Sequence, residues 1–386
     1  MSEKWITACA AAQHMGYPNL IPETSGRTIR AELNCGLDGD AFRIVLGEKY
    51  GEYPISYGNI VVAVKNISKP VSFNGKRQII INPGEVVYSD SIDIPVQNGD
   101  NIILWLYNNG KNTSVSACML EQKHSHIGDF CGFDFEPQEF NIEILDEMEL
   151  VENLTGFISV DVCVSDSAKQ SAIVAFGDSI TKMNFWVAPL REKIRYISKN
   201  TALLNCGIGG NRLLRDTHFP MAPHLQMFGK SGLTRIEWDL LAHKGIMAVI
   251  LALGINDISQ PGKGPTSPPK DERCSAEELI EGYKKFISLA HDAHIKVVGA
   301  TITPFGGYFS YNENTESIRK RVNEWIINSG AFDMVIDFAS AICLPENSSF
   351  LLSKYDSGDH LHPNSEGGAA MAEIINVEEL LKLVNN

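Results

Sequence analysis

The chain has 386 residues, of which 44% are hydrophobic and 21% charged, with a formal net charge of -14. That length is enough to bury at least one large core and suggests more than one domain. A surface this acidic repels phosphate backbones and anionic lipid, which argues against nucleic acid and membrane surfaces as partners.

The start, Met1-Ser2-Glu3-Lys4-Trp5, lacks the charged-then-apolar pattern of a secretory leader. No apolar run approaches the roughly 20 residues of a membrane span. The 8 cysteines are scattered and form no C-x-x-C pair. Together these features lead to the expectation of a cytoplasmic protein with reduced thiols.

In chain order, the first part reads as β. Thr28 to Cys35 alternates apolar and polar residues, as a half-buried strand does. Ala41 to Leu46, Ile60 to Val64, Gln78 to Ile81, Val86 to Ser89, Ile102 to Tyr107 and Phe157 to Val164 are further strand candidates. Gly and Pro punctuate them, Pro83-Gly84 most clearly. Short strands at this spacing predict an all-β sandwich or jelly-roll-like domain over residues 1–165. The polar stretch Asp166 to Gln170 reads as a linker.

From residue 171 to 386 strands and helices alternate. Ala172 to Phe176, Ala202 to Asn205, Met247 to Leu253, Lys296 to Thr301 and Met334 to Asp337 read as strands. Ala188 to Ser198, Ile236 to His243, Ala276 to His294, Thr315 to Ile327 and Glu366 to Ile375 read as helices. Ser275 with Glu278 three residues on fits a capping box. Repeated β-α units predict a parallel sheet covered by helices on both faces. The Pro- and Gly-rich stretch Ser259 to Arg273 reads as a long loop at a strand end, a usual place for a substrate rim.

In such a sheet the chemistry lies just past the carboxyl ends of the strands. There the chain carries Gly177-Asp178-Ser179, then Gly207-Ile208-Gly209-Gly210-Asn211-Arg212, then Gly254-Ile255-Asn256-Asp257. Ser179 at a helix start would have free N–H groups beside it. Near the end come Asp359-His360-Leu361-His362-Pro363, in which Asp359 and His362 are spaced to face each other. Nucleophile, base, orienting carboxylate and oxyanion donors are what acyl transfer requires. Trp186, shortly after the serine, is expected to wall a substrate pocket, and Tyr308, Phe309 and Tyr311 are candidates to stack on sugar rings.

These blocks resemble the SGNH/GDSL hydrolase superfamily. Asn211-Arg212-Leu213-Leu214-Arg215, Thr301-Ile302-Thr303-Pro304-Phe305-Gly306-Gly307 and Ser357-Gly358-Asp359-His360-Leu361-His362-Pro363-Asn364 are similar to its bacterial xylan-esterase-like group, whose members carry a β-rich N-terminal domain. The resemblance implies a flavodoxin-like three-layer α/β/α sandwich after the β domain. It implies Ser179 as nucleophile, His362 as base, Asp359 as its orienter, and an oxyanion hole from Ser179, Gly210 and Asn256. Asn211 and Trp186 would line the substrate, and no metal or organic cofactor would be needed. The expected substrate is a small or oligosaccharide acetyl ester, with a general short-chain or lipid esterase and a catalytically silent carbohydrate-binding protein as the rival readings. Self-association is left open. The stretch Thr217 to Lys230, with His218 and His224, is longer than the resemblance leads one to expect and would reshape the pocket.

Overall fold

The computed structural model describes residues 4–16, 25–110, 115–118, 123–131, 149–150, 154–164, 169–217, 228–263 and 267–385, without the side chains of 123–127, 149–150 and 385. The chain divides into two compact units, Met1–Gln170 and Ser171–Asn386. The expected linker lies largely outside the described residues, as do His218, His224 and most of the segment around them.

The first unit is built from antiparallel strands. Its largest sheet runs in the order Glu149–Leu150, Lys123–Ile127, Arg27–Asn34, Asn101–Asn108, Ile55–Val64, Ile67–Pro70, with Ile79–Ile81 also paired to Ile55–Val64. The alternation read in the sequence has a direct consequence here, since Ile29, Ala31 and Leu33 are all buried. A second sheet pairs Lys4–Ala10, Phe157–Val164, Ala41–Gly47 and Val86–Tyr88. Arg43 crosses its surface. Its guanidinium bonds Asp161 at 2.9 Å and lies 4.5 and 4.4 Å from the ring centroids of Trp5 and Tyr88. The strand Lys4–Ala10 was not foreseen, because its Ala-rich end carries little β preference and it is the pairing with Phe157–Val164 that fixes it.

The second unit holds a sheet of five strands: β1 (Ser171–Gly177), β2 (Thr201–Gly207), β3 (Ile246–Ala252), β4 (Lys296–Ala300) and β5 (Met334–Ile336). Every pairing is parallel and the order is β2-β1-β3-β4-β5. This is the flavodoxin-like order, with its crevice where β1 meets neighbours wound in opposite directions. β1 is buried along its whole length, as a strand covered on both faces must be. Its side chains alternate. Ile173 and Ala175 join Trp186, Leu190, Leu203, Met371 and Leu380 on one face, while Phe176 meets Phe286 edge-on at 5.1 Å on the other.

The helices follow: α1 (Ser179–Lys182), α2 (Val187–Ile197), α3 (Gly232–Ile236), α4 (Ile255–Ser259), α5 (Ala276–Asp292), α6 (Glu313–Asn328), α7 (Phe338–Ile342), α8 (Ser365–Glu373) and α9 (Val377–Asn385). Ser275 caps α5 with Glu278 closing the capping box. The expected helix Ile236 to His243 differs. α3 begins earlier, at a Ser231 cap, and widens into a π-helical turn over Glu237–Leu241. Such widenings recur where a helix must aim a side chain at a functional site. Here Arg235 lies two residues before it. Among the described residues, no helix is long and apolar enough to cross a membrane.

Candidate active site

β1 ends in Gly177, and the chain turns at once into α1. A Cβ on Gly177 would stand 2.0 Å from the Thr181 hydroxyl oxygen, so only glycine permits this turn. Asp178 caps α1, its carboxylate accepting the Ile180 N–H at 3.0 Å. Ser179 is therefore the first residue of the helix, half-buried, with its hydroxyl at the strand end.

The Ser179 hydroxyl lies 2.8 Å from Nε2 of His362. Nδ1 of the same ring lies 2.5 Å from Oδ2 of Asp359. With Nδ1 protonated toward the carboxylate, Nε2 presents its lone pair to the hydroxyl. Oδ1 of Asp359 accepts the backbone N–H of His362 at 2.8 Å and of Leu361 at 3.0 Å, and the Ser357 hydroxyl at 3.0 Å. Burial works against its charge. The N–H donors and the imidazole outweigh that and hold the carboxyl down at about 2. The turn bearing both residues is irregular, not helical. It is framed by Asp356, which accepts the N–H groups of Gly358 and His360, and by Asn364, which donates to the carbonyls of Lys354 and Asp356 and caps α8.

Oxyanion donors need a rigid frame, and the loop after β2 has one. Gly210 takes a φ of +71°, and a Cβ there would strike the Phe228 ring at 2.5 Å. Asp257, on α4, accepts the N–H groups of Leu213 and Leu214 at 2.8 and 2.9 Å. Burial raises its carboxyl, and those two donors oppose the rise. Gln260 donates to the Gly210 carbonyl at 2.7 Å and to Oδ1 of Asn256 at 3.0 Å. Nδ2 of Asn256 spends one proton on the Asn211 carbonyl at 3.1 Å and keeps the other.

Arg235 joins these pieces from below. It is fully buried, with Nη2 on the Gly177 carbonyl at 2.8 Å, Nη1 on the Cys206 carbonyl at 2.9 Å and Nε on Oδ1 of Asn211 at 2.9 Å. Asp239, one turn on, balances its charge at 3.1 Å. The guanidinium thus ties the end of β1 to the loop of Gly210.

The structure brings Ser179, Asp359 and His362 into one series, and Gln260 links Gly210, in the loop after β2, to Asn256 on α4. One expectation needs correction. Asn211 does not line a substrate surface: it is fully buried, and its amide donates to the carbonyls of Phe228 and Lys230, at 2.7 Å each. Trp186 is among the residues that line a small cavity beside Asp178 and Ile180. It is fully buried against Phe338, with ring centroids 5.2 Å apart, because the large apolar ring is worth more inside the core. Arg235 and Gln260 were not singled out in the sequence, and Asp178 was read only as part of the Gly177-Asp178-Ser179 block. Only Gln260 left a signal, its four-residue spacing from Asn256 on a short helix.

A hydroxyl bonded to an imidazole that a carboxylate anchors is the arrangement that activates serine for acyl transfer. The family model for GDSL-like Lipase/Acylhydrolase matches residues 173–375. The chain belongs to this family.

This GDSL acylhydrolase is a serine ester hydrolase, of a family that acts on small ester substrates. None of the curated proteins compared with it matches. Among solved structures it is similar to a lipolytic protein of the G-D-S-L family from Desulfitobacterium hafniense, at 21% identity and a TM-score of 0.39, over 53% of this chain and 97% of that one. It is also similar to a GDSL-like lipase from Bacteroides thetaiotaomicron, at 17% identity and 0.40, over 57% and 92%. A third is an acetyl xylan esterase from Geobacillus stearothermophilus, at 17% identity and 0.41, over 56% and 96%. Among the described residues no group of three or more His, Cys, Asp or Glu side chains is placed to hold a metal ion.

Proposed function

We propose that this acylhydrolase removes acetyl groups from sugars, with residues 171–386 as its catalytic domain. Ser179 attacks the ester carbonyl while His362 takes its proton. Asp359 fixes the ring and stabilises the imidazolium. The N–H groups of Ser179 and Gly210 and the spare amide proton of Asn256 receive the developing oxyanion, a donor of this kind being worth about 3–4 kcal/mol in the transition state. The sugar leaves with the proton from His362. Water, activated by the same imidazole, then releases acetate from the acyl-Ser179.

The observation that carries this reading is the unbroken series from the Ser179 hydroxyl through His362 to Asp359, at 2.8 and 2.5 Å. A short acyl group is what the xylan-esterase-like motifs imply. Sugar as the alcohol is supported by the xylan-esterase-like motifs and by Phe309, 69% exposed beside Tyr308 with ring centroids 4.5 Å apart.

Release of free acetate from acetylated xylo-oligosaccharides and other acetylated sugars tests the substrate class. A steep fall in rate from acetate to octanoate esters is expected. Rates that climb with chain length would favour a lipid esterase instead. Covalent labelling of Ser179 by a fluorophosphonate tests the nucleophile, and a serine that stays unlabelled would favour a silent binding protein.

A further inference from the structure

The loop after α4 carries Lys263, three residues beyond the glutamine that holds Gly210. Its ammonium donates to the Tyr308 hydroxyl at 3.0 Å and lies 4.4 and 4.1 Å from the ring centroids of Tyr308 and Phe309. Those rings follow Gly307, whose Cβ position is 3.2 Å from the His360 ring, in the turn that holds Asp359 and His362. Lys263 and Tyr308 therefore bridge the two sides of the site, the loop of the oxyanion donors and the turn of the base.

The charge around this bridge is unusual for so acidic a chain. Arg273 approaches from the segment after Lys270–Glu272 and donates to the Pro261 carbonyl, while its buried Nε has no partner among the described residues. The stem of Lys270 lies against Gly262. Among the described residues no carboxylate comes within ion-pair distance of Lys263 or Arg273. Burial lowers the Lys263 ammonium to about 8, and Arg273 lowers it in the same direction, while Tyr308, half-buried, is pushed up by burial and by the charge of Asp359. Cations crowded together without an acid are a site waiting for an anion.

We propose that Lys263, backed by Arg273 and flanked by the ring faces of Tyr308 and Phe309, is a subsite for a carboxylate carried by the sugar whose ester Ser179 cleaves. The rings take the apolar face of the sugar, and the ammonium takes the carboxylate. An acetylated uronic acid has that chemistry. The subsite rests on the acetyl-sugar esterase reading and narrows it.

The test compares acetate release from mono-O-acetyl glucuronate and from its uncharged isostere, mono-O-acetyl glucuronamide, with 4-nitrophenyl acetate as a reference. At pH 7 and low salt, kcat/KM for the glucuronate should exceed that for the amide by about tenfold, and added salt should shrink the excess. Lys263→Met should bring the ratio toward one, and Lys263→Arg should restore it. A wild-type ratio at or below one, a ratio that Lys263→Met leaves unchanged, or hydrolysis of the reference alone would overturn the subsite. Failure to hydrolyse even 4-nitrophenyl acetate would instead sink the esterase reading, and the subsite with it.

Discussion

The Arg235 guanidinium carbon lies over the ring of Phe176, 3.7 Å from its centroid, beside the end of the strand that precedes Ser179. Its hydrogen bonds reach the carbonyls of Gly177 and Cys206, on neighbouring strands. Arg235→Met removes the guanidinium from a buried ion pair with Asp239, at a cost of about 3–5 kcal/mol. Urea denaturation should show that loss. Arg235→Lys keeps the charge but not the fork, so it should recover part of the stability while kcat stays low and KM changes little. Full kcat in the lysine variant would mean that the brace does not position the site.

Ser179→Ala should abolish turnover of an activated acetate ester and leave the fold intact. The hydroxyl is hydrogen-bonded to His362, and the substitution leaves the backbone of α1 untouched. Wild-type rates in this variant, with an unchanged melting temperature, would remove Ser179 from the mechanism.

Asp359→Asn should lower kcat on the order of 10²–10⁴-fold, because the amide cannot hold the imidazole tautomer or stabilise its charge. The carboxyl sits at about 2, well below the ordinary 3.8, so it is ionised throughout the working range. The defect should be present at every pH from 5 to 9. By the same sign, the stabilisation from the Asp359 charge is present above pH 4 and fades as pH falls through about 2. A variant that regains activity at high pH would contradict an orienting role.

Asp178 shifts the opposite way. Burial pushes its carboxyl up to about 7, against the Ile180 N–H and the His362 charge, which favour ionisation. A raised carboxyl binds its proton more tightly in the folded state. Its contribution to stability is therefore fully present below pH 4 and is lost as pH rises through about 7, with a slope of up to about 1.4 kcal/mol per pH unit. Asp178→Asn keeps a capping oxygen for Ile180 and removes the titration. The wild type should lose stability relative to this variant between pH 4 and 7 in urea titrations. Parallel stability curves would show that Asp178 does not titrate there.

Much of the α/β unit was legible because each of its strands is a short apolar run and each long helix an amphipathic one. β1 and α5 match their expected spans within a few residues. The site blocks were legible because glycine, serine and histidine at strand ends have few other reasons to recur in that order. Arg235 and Asn211 were not, since a polar side chain that folds inward to satisfy carbonyls looks, in sequence, like one that faces solvent or ligand. The π-helical widening after Arg235 follows from tertiary packing, and no periodicity announces it.

The Ser179 hydroxyl and the His362 ring meet across 183 positions of sequence. During synthesis the serine, its capped helix and the strand beneath can form long before the turn that bears the base has been made. Until that late segment docks, the hydroxyl is an ordinary alcohol. On the proposed mechanism, a chain that stops short of residue 362 would hold the serine without its base and could not hydrolyse an ester.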